Sequence, residues 1–240
     1  MSDPNGSMSL GEIAAKWPAA IDVFERHGMD YCCGGSQTLA QACEARALSL
    51  SGMLQECADA TSPPGQERCW TNASLSALAD HIEQTHHAFV RQAIAKLDIL
   101  IPKVAQSHGG TDARLSTLAA AYKGFRADML DHMVREERVV FPWLRRLESP
   151  TQIHRGPPWS IRRPISCMVH DHDDVGETLA QMRVLTDAYA APAGACGSYR
   201  AMLATLAQLD HDTRVHIHKE NNILFPAGVR AEEALAHPSA

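Results

Sequence analysis

The chain has 240 residues, enough for one bundle-sized domain and a smaller appendage. Hydrophobic residues make up 45%, so a real core can form, and the 5% aromatic share beside abundant Ala and Leu favours helix over sheet. A net charge of −6 argues against the clustered basic face that a nucleic-acid partner needs, and no apolar run approaches the ~20 residues that span a bilayer.

The seven cysteines lack the paired rhythm of a secreted disulfide framework, and no basic-then-apolar leader is visible, so a reducing cytoplasm is the expected setting. Residues 1–7 read as an extension ahead of a start at Met8. Ser9-Leu10-Gly11-Glu12 fits a capping box and starts a short helix. Pro18 opens the next helix and Gly28 ends it. Met29-Asp30-Tyr31-Cys32-Cys33-Gly34-Gly35 is a turn by its glycines, Thr38-Leu39-Ala40-Gln41 is a second capping box, and a further helix covers about 51–60. Ser62-Pro63-Pro64-Gly65 reads as a linker, which makes 9–62 a small helical N-terminal domain.

Four long helices follow, over about 74–107, 112–148, from Pro164 to about 189, and 198–225. Gly109-Gly110, a loop through Gly156-Pro157-Pro158, and Pro192 with Gly194 separate them. Pro142 and Pro226 are each placed to kink or stop a helix. The expected fold is all-α, an up-down four-helix bundle over 74–230 behind the small domain.

The chemistry lies in a repeat. His132-Met133-Val134-Arg135-Glu136 and His216-Ile217-His218-Lys219-Glu220 are each followed by four residues ending in an aliphatic pair and then Phe-Pro. His and Glu four residues apart share one helix face, and here that face is apolar: Phe125, Met129, His132, Glu136, Val140 in one copy; Leu206, Leu209, Thr213, His216, Glu220, Ile223 in the other. A glutamate on a core stripe is costly unless a charge compensates it, and a metal ion does so strongly. The other two helices each offer one stripe histidine, His87 ahead of Val90, Ile94 and Leu97, and His172 among Met168, Val175 and Leu179. The spacing repeats as well, with 45 residues from His87 to His132 and 44 from His172 to His216. A lone core histidine is more often hydrogen-bonded than ligating, but duplication with matched spacing reverses those odds. Four imidazoles and two carboxylates exceed one tetrahedral zinc and suit a pair of iron ions bridged by Glu136 and Glu220. His86 competes with His87, which fits the stripe better; the remaining histidines read as surface, cap or supporting groups.

These residues resemble the hemerythrin-like bundle. Asp30-Tyr31-Cys32-Cys33-Gly34-Gly35 ahead of such a bundle is similar to the RIC family, the repair-of-iron-centres proteins of the YtfE/ScdA/DnrN type, over about residues 9–230. The resemblance implies iron ligands at His87, His132, Glu136, His172, His216 and Glu220, and a functional cysteine pair at Cys32 and Cys33. The position before His87 is Tyr in relatives and His86 here. The resemblance further implies cytoplasmic, often dimeric proteins that restore iron–sulfur clusters damaged by nitric oxide or peroxide. Iron donation and nitric oxide reduction are both implied activities, and it does not choose between them. Oxygen carriage in hemerythrins uses a site with five histidines; the four here leave open positions and favour reactivity or release. The competing reading is a di-iron sensor or carrier of oxygen or nitric oxide, which has no need of Cys32 and Cys33. Thiolates ligate iron and carry redox chemistry, so the small domain is expected to dock near the iron end of a bundle, in its own or a partner chain, with the 62–65 linker letting it swing.

Overall fold

The structure is a computed structural model that describes residues 3–60, 69–148 and 160–236. The linker at 62–65, the loop through 156–158, His154 and His237 lie outside the described residues. The chain separates into two compact units, Ala79–His216, and Met1–Leu78 together with Ile217–Ala240. The described residues are helical, with one isolated antiparallel bridge, Ser9 to Thr38. No described helix is long and apolar enough to cross a membrane.

The first unit opens with α1 (Leu10–Lys16), α2 (Ala20–Arg26), α3 (Leu39–Ala45) and α4 (Leu50–Asp59). Both capping boxes form: Ser9 accepts from Glu12 N while Glu12 accepts from Ser9 N, and Thr38 and Gln41 repeat the exchange. The two boxes sit side by side, because Leu10 N donates to Gln37 O, Gly11 N to Gly35 O and Leu39 N to Met8 O, each at 2.9–3.0 Å. Residues 5–7 are part of this fold rather than an extension: Ala40 N donates to Gly6 O at 3.0 Å, and Asn5 caps Ser7. Gly28 ends α2 with a φ of +62°, a conformation L side chains rarely adopt. Leu10, Ile13, Phe24, Tyr31 and Leu39 form this unit's core.

The second unit is the bundle. Its first rod takes in the end of α5 (Leu75–His81), from Ala79 on, widens into a π-helical segment, Ile82–His87, and continues as α6 (Ala88–His108). The second rod is α7 (Arg114–Arg135), a π segment Glu136–Val140, and α8 (Phe141–Leu147). The third is α9 (Arg162–Leu185) and the fourth begins as α10 (Gly197–Lys219). Apolar stripes close the core, with Val90, Leu97, Leu118, Phe125, Met129, Leu179, Met202 and Leu209 buried. Buried Asp210 ties α9 to α10 by accepting from Arg183, Tyr189 and Arg214 at 2.7–2.9 Å.

Two boundaries differ from expectation. The third rod ends at Leu185 rather than near 189, because Thr186 turns its hydroxyl back onto Met182 O and Asp187, Ala188 and Tyr189 all take positive φ. The fourth rod does not stop at Pro226. It passes through a π segment, Glu220–Leu224, and runs on as α11 (Phe225–Ala236). An α-helix is broken by proline because the residue lacks an N–H and crowds the carbonyl four positions back. Here the carbonyl four positions back, that of Asn222, falls inside the widened turn, which shifts the bonding register. The same device precedes Pro142.

Candidate metal centre

His132 and Glu136 are one turn apart on α7 and its extension, which places both on the buried stripe. His87 ends the π segment of the first rod, His172 is central in α9, and His216 lies near the end of α10. His87, Glu136, His172 and His216 expose none of their surface, and His132 exposes 1%.

These side chains converge in two sets that share Glu136. Ligand atoms of His87, Glu136 and His216 lie within 4.8 Å of one another, as do those of His132, Glu136 and His172. In the first set, His87 Nε2 is 3.3 Å from both His216 Nε2 and Glu136 Oε2. In the second, His172 Nε2 is 3.0 Å from His132 Nε2, which is 3.2 Å from Glu136 Oε1. Each Glu136 oxygen thus faces a different imidazole group. Neither oxygen is in hydrogen-bond geometry despite full burial, so their lone pairs and the imidazole nitrogens point at shared space. Leaving such a carboxylate uncompensated is expensive, and a cation between the groups resolves it.

Two of the outward nitrogens, those of His87 and His132, are also prepared. His87 Nδ1 is 2.7 Å from Glu137 Oε1, which Arg91 also holds at 2.7 Å. His132 Nδ1 faces Asp171 Oδ2 at 3.5 Å, the outer limit of a hydrogen bond, and Arg135 pairs with the same oxygen at 2.8 Å. A carboxylate at Nδ1 fixes the tautomer that presents a bare Nε2 to a metal. Burial raises the pKa of Glu136, but His132, His87 and His216 outweigh it and hold the carboxyl well below its usual range. Burial likewise opposes, without overcoming, the lowering of Glu137 by Arg91 and His87. The hydrogen bond with His132, opposed by burial and helped by Arg135, lowers Asp171.

His86 has a different position. Its ring stacks on His216 with centroids 5.6 Å apart and planes 4° from parallel, and its Nδ1 meets Asp212 at 2.9 Å. It packs against a candidate ligand and stands outside both three-residue sets. Glu220 is wholly buried and lies one turn beyond His216 on the continuous helix, as Glu136 lies beyond His132.

Cys32 and Cys33 lie in the first unit, Cys32 buried and Cys33 half-exposed, with their sulfurs 3.9 Å apart and no disulfide. Asp30 Oδ1 accepts from Cys32 N, Cys33 N and Cys32 Sγ at 3.0–3.2 Å. Asn222, two residues past Glu220, donates to Tyr31 O and Cys32 O at 3.2 Å, and Asn221 reaches Cys32 O at 3.4 Å. Room for Asn222 is made by two glycines: a Cβ on Gly11 would overlap its Oδ1, and one on Gly35 would come within 2.6 Å. His218 completes the contact, 5.6 Å from the Tyr31 ring and 3.1 Å from Asn222. Sequence reasoning quoted Asp30 only as part of the double-cysteine motif, and did not single out Glu137, Asp171 or Asn222. A carboxylate adjacent in sequence to a stripe residue was the available signal for Glu137 and Asp171, and nothing marked Asn222.

A helical bundle whose core gathers histidines around a buried carboxylate defines a cation-binding class. Residues 77–228 match the hemerythrin HHE cation binding domain, and residues 6–61 match ScdA_N, a domain of unknown function (DUF542). Proteins named iron-sulfur cluster repair protein YtfE are similar over nearly the whole chain. The one from Musicola paradisiaca is 36% identical over 93% of this chain and 97% of its own length. Those from Edwardsiella ictaluri and Dickeya chrysanthemi are 36% and 34% identical, covering 90% and 93% of this chain and 94% and 97% of their own lengths. The chain belongs to this hemerythrin-type, YtfE-like family.

Proposed function

We propose that this chain repairs iron–sulfur clusters damaged by nitrosative or oxidative stress, using a non-haem di-iron centre held by His87, His132, Glu136, His172, His216 and Glu220. The observation that carries this reading is Glu136, buried with one oxygen toward each imidazole pair. That is the disposition of a bridging carboxylate. Glu220 is the proposed second bridge, since it repeats Glu136's place in the duplicated motif and is equally buried. Imidazole and carboxylate donors without thiolate suit iron, and the donor set is too large for one tetrahedral ion. Iron held there would supply electrons and open positions for nitric oxide or oxygen. Glu137 orients the His87 imidazole and Asp171 that of His132, and the apolar stripes keep bulk water away.

Iron released to a damaged protein is the cargo in this reading, and Cys32 and Cys33 are the proposed exit groups. Their loop is pinned by Asn222 within one turn of Glu220. A cytoplasmic setting and a homodimer are proposed on the family's habit. The test is restoration of a nitric-oxide-damaged iron–sulfur protein by iron-loaded chain. The double variant Cys32→Ser, Cys33→Ser should keep its fold and iron and lose restoration. Repair at the wild-type rate by the double variant would remove the cysteines from the transfer. Failure of the unmutated chain to restore the cluster would leave a sensor or carrier of oxygen or nitric oxide as the better reading.

A further inference from the structure

The thiols of Cys32 and Cys33 form a tight group with the Asp30 carboxylate. Adjacent cysteines do not readily bond to each other, because the peptide between them strains the ring. Here both sulfurs are nonetheless presented to the same side, 3.9 Å apart. Two thiolates on one tetrahedral ion, each about 2.3 Å from it, stand roughly 3.8 Å apart. One ligand atom each from Asp30, Cys32 and Cys33 lies within 4.8 Å of the others. The sulfur–sulfur spacing is therefore already that of a bound pair of thiolates, with the Asp30 carboxylate close by.

The loop is held for this from both sides. Asp30 Oδ1 gathers the backbone N–H groups of both cysteines. Asn222 and Asn221 grip the carbonyls of Tyr31 and Cys32. Cys33 and Asp30 are half-exposed, so an ion can enter and a fourth donor can come from water or another protein. A thiol merely resting on a carboxylate accounts for the Cys32–Asp30 contact, but not for the second sulfur at a chelating distance.

We propose that Asp30, Cys32 and Cys33 are a second, mononuclear site for a thiophilic divalent cation, separate from the histidine–glutamate centre. Binding M²⁺ releases the two thiol protons to solvent and forms two metal–sulfur bonds with no change in oxidation state. A three-ligand site with an open fourth position holds an ion loosely enough to hand it on. That use of the site, as the relay between the bundle's iron and a recipient, rests on the repair reading above; the binding itself does not.

The probe is Co²⁺, added anaerobically to reduced, iron-loaded full-length chain, with iron content checked afterwards. Cobalt on thiolates gives sulfur-to-metal charge transfer in the near ultraviolet and tetrahedral ligand-field bands in the visible. The expected result is a single cobalt-binding step with both features, lost in Cys33→Ser and weakened at least tenfold in Asp30→Asn. Asp30→Asn keeps one oxygen to gather the loop, removes the charge and exchanges the second oxygen for an amide nitrogen. No thiolate bands, or bands that survive Cys33→Ser, would overturn the site; bands unchanged in Asp30→Asn would overturn its three-residue composition. Loss of cobalt binding in chain that still restores clusters would sink this site alone, whereas cobalt binding in chain that never restores one would sink the repair reading alone.

Discussion

Glu136 has no exposed surface and imidazole nitrogens 3.2 and 3.3 Å from its two oxygens, a combination that only a cation makes comfortable. Around it, the supporting carboxylates decide how firmly the histidines are aimed. Glu137→Gln keeps an acceptor beside His87 Nδ1 and removes the charge that favours the metal-binding tautomer. Iron affinity, measured by competition with a chelator, should fall about 10–100-fold as for other supporting groups of metal-bound histidine. The Arg91–Glu137 pair is partly exposed, so folding stability should hardly change. Unchanged affinity would mean that Glu137 serves only the surface ion pair. The positions where His87, His132, Glu136, His172 and His216 converge were legible, because a polar residue on an apolar stripe violates the pattern around it. Glu137 and Asp171 violate nothing. They sit on partly solvated faces, and only the cross-helix partner gives them meaning.

Widened turns are the feature of the elements that periodicity did not foretell. Three segments among the described residues are π-helical, Ile82–His87, Glu136–Val140 and Glu220–Leu224, and each contains a candidate ligand. Two of them begin at the repeated glutamate and end just before the repeated Phe-Pro. The Phe-Pro repeat was visible in the sequence, but it read as a kink or a stop because a regular α-helix cannot pass a proline cheaply. A turn with one extra residue can, and π segments of this kind gather at functional sites. Helix starts fared better, since the Ser9 and Thr38 capping boxes are local chemistry and formed as written. The last π segment also carries Asn222, whose side chain holds the double-cysteine loop. Asn222→Ala removes one donor from each of the carbonyls of Tyr31 and Cys32, with Asn221 still reaching Cys32 O, a loss of about 0.5–1.5 kcal/mol per hydrogen bond. The expected outcome is faster alkylation of Cys33 and greater protease sensitivity at residues 30–35, with the bundle's iron retained. Alkylation at the wild-type rate would show that Gly11 and Gly35 make room for a side chain that does not hold the loop.

For the whole molecule, the all-α class and the bundle were open to reading because four long apolar periods separated by Gly/Pro breaks admit few other folds. The grouping of the last helix's end with the N-terminal helices was not. The last rod is one continuous helix, yet its segment from Ile217 onward groups with the N-terminal helices, through Asn222, His218 and Ile223. Contacts between residues nearly 200 positions apart leave no local trace in a sequence. The duplicated motif therefore has two outcomes: one copy is embedded in the bundle, while the other also carries the cysteine loop's anchor. The central claim, a carboxylate-bridged iron pair at Glu136 and Glu220, is tested most directly by iron quantification with Mössbauer spectroscopy on anaerobically purified chain. About two irons per chain are expected, the stoichiometry of bundle di-iron sites, with the spectrum of an exchange-coupled pair that is lost in Glu136→Leu. A single iron with an uncoupled spectrum, or a site filled by one zinc ion, would contradict it.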